Sequence, residues 1–78
     1  MNADDKKHVA TEVLAEISGN AKDEIRPEMD LVADLGIDSP KALQLLVALE
    51  DRLDIEISDE QAAKLNTVGD IYAFLGAA

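Results

Sequence analysis

Asp38-Ser39 is the pair in this chain whose residue types and position best suit chemistry. Ser39 follows Leu35-Gly36-Ile37-Asp38 and opens an apolar-periodic segment from Pro40 to Leu53, so its hydroxyl is expected at a helix N-terminus. The motif holds no His or Lys to take the hydroxyl proton, and an unaided serine is a poor nucleophile. A serine so placed reads as a point where a phosphate group is attached and held, because free backbone N–H groups and the helix dipole both favour an anion there. The plainer reading is that Asp38 and Ser39 only cap the helix, a role that suits both residue types.

The elements that must position this pair are helical. Apolar residues recur at helical spacing in four places, and no stretch alternates cleanly enough for a strand of useful length. The first helix is expected to start near Asn2 to Asp5, with an Asn cap and acids at the positive end of the dipole. It carries Val9, Val13, Leu14 and Ile17 on one face and ends at Gly19-Asn20. A loop of about 20 residues follows, long enough to suggest a function of its own. Within it Ile25, Leu31, Val32 and Leu35 are expected to pack on the core, with Pro27 and Gly36 shaping its turns. Ser58 to Gln61 and Thr67 to Asp70 have capping-box spacing and predict a short third helix and a fourth. In the fourth, Val68, Ile71, Tyr72 and Leu75 form one apolar stripe facing the first two helices, and Gly76 ends it.

Composition bounds the function. A chain of 78 residues makes one small domain, 1–78, with little room for a deep enzyme cleft. It has no cysteine, which excludes disulfides and thiolate-metal sites, and its aromatics are Tyr72 and Phe74, so the core is aliphatic. Seventeen acids against seven bases give a formal charge of -10. That charge repels nucleic acid and anionic membranes and suits partners that present Lys and Arg, solubility being the bland alternative. With no apolar run of membrane-spanning length and no leader-like segment ahead of the first helix, the expectation is a cytoplasmic monomer.

The segment from Pro40 to Leu53 has more apolar positions than one buried face uses. Ala42, Leu45, Leu46, Leu49 and Leu53 make a core stripe, while Leu43 and Val47 stand aside from it at i and i+4. These two either widen the core or face water near Ser39 as a partner contact ringed by Glu50, Asp51 and Asp59.

Four blocks, Leu35-Gly36-Ile37-Asp38-Ser39, Leu49-Glu50-Asp51, Ile55-Glu56-Ile57-Ser58-Asp59-Glu60 and Thr67-Val68-Gly69-Asp70, resemble the acyl carrier protein family in order and spacing. The resemblance implies an all-α four-helix bundle with a short third helix and a long loop between helices one and two. It implies further that Ser39 carries 4'-phosphopantetheine, transferred from coenzyme A by a separate phosphopantetheinyl transferase that recognises Asp38. The protein would be no enzyme itself. It would carry acyl intermediates as thioesters in fatty-acid, polyketide or specialised lipid biosynthesis, handing them to loading and processing enzymes with basic docking patches. Partner contacts are then expected at Pro40, Leu43, Val47, Glu50, Asp51 and Asp59. The alternatives are an aminoacyl or peptidyl carrier, or an unmodified module of the same fold that binds a basic partner.

Three residues depart from the family pattern. Pro40 stands where an aliphatic leucine is usual; it is tolerated in a first helical turn but disfavours helical backbone at the preceding residue. That predicts Ser39 as the cap itself and a helix starting one residue later. Lys41 and Gln44 replace acids, which moves the negative charge toward Glu50, Asp51, Glu56, Asp59 and Glu60. His8 has no second ligand at metal spacing and reads as solvated. Asp30, Asp34 and Asp38 recur every four residues without the glycine and terminal glutamate of a calcium loop, so no metal site is assigned.

Overall fold

Asn2 starts the first helix by accepting the Asp5 N–H on its side-chain oxygen at 2.9 Å, which satisfies one of the donors a helix N-terminus leaves open. The computed structural model describes residues 2–76, among which four α-helices succeed one another. These are α1 over Ala3–Ser18, α2 over Ser39–Leu53, α3 over Asp59–Ala62 and α4 over Val68–Phe74, with a 3-10 turn at Lys22–Glu24. Gly19 closes α1 in the left-handed region, its N–H returning to the Ala15 carbonyl. Both expected capping boxes form: Ser58 exchanges bonds with Gln61, and Thr67 with Asp70.

The core lies where α1, α2 and α4 converge. Leu14, Ile37, Leu49, Ile71, Val13 and Val68 are the largest of its fully buried side chains. Each large one stabilises the fold by about 1.5–3 kcal/mol relative to exposure. The expected stripe of α4 is buried throughout, at Val68, Ile71, Tyr72 and Leu75. Tyr72 reaches α1, its hydroxyl 2.6 Å from the Thr11 hydroxyl. Arg52 of α2 forms ion pairs with Glu12 and Glu16 of α1.

The long connection between α1 and α2 is held by backbone bonds. Its middle pairs with the start of α4 through Leu31 N–H to Asn66 O and Val68 N–H to Met29 O, an isolated antiparallel bridge between Asp30 and Thr67. Ile25, Leu31 and Leu35 enter the core as expected, but Val32 does not and is 66 % exposed. The Asp30 carboxylate accepts the N–H groups of Val32 and Ala33, which curls residues 30–35 into a turn. Leu31 and Leu35 point inward from that turn and Val32 points away. The inward place is taken by Ile37, whose N–H returns to the Leu31 carbonyl.

Candidate functional site

Asp38 sets the position of Ser39. Its backbone is extended (φ -77°, ψ -177°), its side chain accepts the Lys41 N–H at 3.2 Å, and its carbonyl accepts the Ala42 N–H at 2.7 Å. Asp38 is therefore the N-cap of α2, and Ser39 is the first helical residue. This corrects the expectation that proline would make Ser39 the cap. The preference of a pre-proline residue for extended backbone is overridden here by the two bonds that Asp38 makes across the first turn.

Ser39, Pro40 and Lys41 are all exposed, and among the described residues the Ser39 hydroxyl makes no hydrogen bond. The backbone around it is poorer in free donors than expected. Pro40 has no N–H, and the N–H groups of Lys41 and Ala42 are used by Asp38. The Ser39 N–H remains. An anion on Ser39 thus meets the helix dipole and one backbone donor.

Leu43 and Val47 face water, 65 % and 56 % exposed, while Leu45, Leu49 and Leu53 fill the core from the opposite side of α2. Of the two readings of Leu43 and Val47, the exposed one holds. Together with Gln44, Ala48 and Asp51 they line an open groove of about 380 Å³. Asp51 and Asp59 are exposed, but Glu50 is half-buried and its carboxylate accepts the Ile57 N–H at 3.0 Å. Glu50 thus braces the segment between α2 and α3. Ala48 was not singled out by the sequence; it lines the groove one turn beyond Gln44.

Two aspartates of the preceding loop are also occupied by backbone. Asp34 accepts the Asp30 N–H, and Asp30 accepts those of Val32 and Ala33. His8 lies on the surface of α1 beside Glu12.

A family model described as the phosphopantetheine attachment site matches residues 9–75. The chain belongs to the acyl carrier protein family. It is similar to the solved structure of Rv0033 from Mycobacterium tuberculosis, assigned as an acyl carrier protein, with 35% sequence identity and a TM-score of 0.84. The match covers 91% of this chain and 95% of that one. Members of this family are carriers and not enzymes, and they hold 4'-phosphopantetheine on a serine. An exposed serine hydroxyl in a first helical turn, beside a helix dipole that favours its phosphate, fits that group. No helix among the described residues is long and apolar enough to cross a membrane.

Proposed function

We propose that Ser39 bears the 4'-phosphopantetheine arm and that acyl intermediates ride on its thiol as thioesters, in fatty-acid, polyketide or specialised lipid biosynthesis. The observation that carries this reading is the exposed Ser39 hydroxyl, without a hydrogen bond among the described residues, at the start of α2 directly after the Asp38 cap. A separate phosphopantetheinyl transferase supplies the base and metal that the carrier lacks. Ser39 Oγ forms a new bond to the phosphorus that carries the pantetheine half of coenzyme A. The pyrophosphate bond breaks, the nucleotide half departs, and the hydroxyl proton passes to the transferase's base. Chemistry on the cargo belongs to the partner enzymes.

Partners with basic docking patches approach the exposed side of α2. Leu43 and Val47 supply the apolar contact, Asp51 and Asp59 the charge, and Asp38 and Pro40 flank the serine. Glu50 supports this surface by holding Ile57 in place. Peptide mapping after incubation with coenzyme A and a broad-specificity transferase tests the assignment: the added mass must fall on the peptide containing Ser39. Leu43→Asp and Val47→Asp should each slow modification several-fold without unfolding the protein, since both side chains are exposed. Unchanged rates in both would remove the docking role.

A further inference from the structure

A second cavity, of about 360 Å³, lies between the first turns of α1 and the 3-10 turn at Lys22–Glu24. Its walls are Asp4, Lys7, His8 and Thr11 from α1 and Lys22 and Asp23 from the turn, so no residue of α2 takes part. The four α1 residues stand at i, i+3, i+4 and i+7, one stripe of the helix. The volume is at the small end of ligand cavities, which begin near about 300 Å³.

The hydroxyls and the imidazole of this region are already engaged. The Thr11 hydroxyl donates to the Lys7 carbonyl at 2.8 Å, which leaves its oxygen as the acceptor for the Tyr72 hydroxyl 2.6 Å away. His8 Nε2 faces Glu12 at 3.4 Å. The four remaining groups are two ammoniums and two carboxylates, one of each sign on α1 and one of each on the turn. The ion pairs among the described residues join His8 to Glu12 and Arg52 to Glu12 and Glu16, so none uses Asp4, Lys7, Lys22 or Asp23. Lys7 Nζ is placed 5.1 Å from the centre of the Tyr72 ring, a cation–π contact that positions it without a carboxylate.

We infer that this cavity binds a small zwitterion of the α-amino-acid kind, its carboxylate toward Lys7 and Lys22 and its ammonium toward Asp4 and Asp23. The charges select this class. A simple anion meets Asp4 and Asp23 in the cavity and a chain of net charge -10 around it. A simple cation meets Lys7 and Lys22. A molecule with both charges and no net charge answers all four groups and is not repelled by the chain as a whole. It also ties α1 to the turn that opens the long connection, so binding raises Tm. The inference is independent of attachment at Ser39.

The test titrates the full chain with L-alanine and follows backbone amides by NMR, at constant ionic strength. Propionate, which lacks the ammonium, and ethylammonium, which lacks the carboxylate, are titrated in parallel. The expected result is saturable shifts confined to residues 4–11 and 22–23 in the millimolar range of L-alanine, with each half-molecule weaker by at least about fivefold. Lys22→Met and Asp23→Asn, both at exposed positions, should each weaken L-alanine about fivefold, while Lys64→Met, an exposed lysine outside the cavity, leaves it unchanged. Ser39→Ala should bind as wild type does. Propionate or ethylammonium binding as tightly as L-alanine would overturn the inference, as would the absence of saturable shifts through the millimolar range. Equal weakening by Lys64→Met and Lys22→Met would overturn it too, because net charge and not the cavity would then be the cause.

Discussion

The Gly69 N–H donates to the Pro27 carbonyl at 2.8 Å, and a Cβ built on Gly69 would stand 3.0 Å from that same oxygen. The start of α4 and the long connection therefore approach backbone to backbone, beside the bridge between Asp30 and Thr67. Gly69→Ala forces one of the two to move. The expected crowding cost is about 1–3 kcal/mol, offset by up to about 1 kcal/mol of helix propensity gained over glycine within α4; the net loss is read as a fall in Tm of roughly 4–8 °C per kcal/mol for a protein of this size. An unchanged Tm would show that the connection gives way freely.

Glu50 reaches seven residues along the chain to accept the Ile57 N–H, and that bond is part-buried. Glu50→Ala should cost about 1–3 kcal/mol, because it strands a backbone donor. Glu50→Gln keeps an acceptor and should recover most of the loss. Denaturant unfolding of the three proteins decides the matter: if Gln falls as far as Ala, the charge and not the bond is what matters.

The Asp70 carboxyl is held below its ordinary value of 3.8, first by the Asn66 N–H and then by the N–H of Thr67, with the Thr67 hydroxyl adding to both. A depressed folded pKa means that the ionised group favours the folded state. Its contribution is present above the unfolded value and is lost as pH falls through the folded one. The Tm gap between wild type and Asp70→Asn should therefore be widest near neutral pH and narrow below about pH 4. A gap that stays constant from pH 7 to pH 3 would refute this.

Pro40 deprives the first turn of α2 of an N–H where the arm's phosphate is proposed to sit. Pro40→Leu restores that donor. The gain in Tm from apo to holo form should be larger in Pro40→Leu than in wild type, by the equivalent of about 0.3–1 kcal/mol. An equal gain in both would mean that the phosphate does not use the backbone there.

The parts of the fold legible in the sequence are those determined within one helical turn. Asn2 with Asp5, Ser58 with Gln61 and Thr67 with Asp70 are local exchanges between a side chain and a nearby N–H, and all of them form. The buried stripe of α4 follows from its period alone. Val32 and Ile37 were not separable by pattern, because the irregular connection has no period and the Asp30 carboxylate decides which side chains turn inward. The start of α2 was misjudged by one residue, since the rule for a residue before proline considers that residue alone and not the bonds of its neighbour Asp38. Glu50 looked like one more surface acid; its target is fixed only once α2 ends and the chain bends back, with Asp54 in the left-handed region (φ 53°).

The central claim is a covalent bond at one oxygen, and intact mass measures it directly. Wild-type protein and Ser39→Ala are incubated side by side with coenzyme A and a broad-specificity phosphopantetheinyl transferase. The account predicts that wild type gains one phosphopantetheine unit and Ser39→Ala gains none. No gain in wild type, or an equal gain in Ser39→Ala, would contradict it.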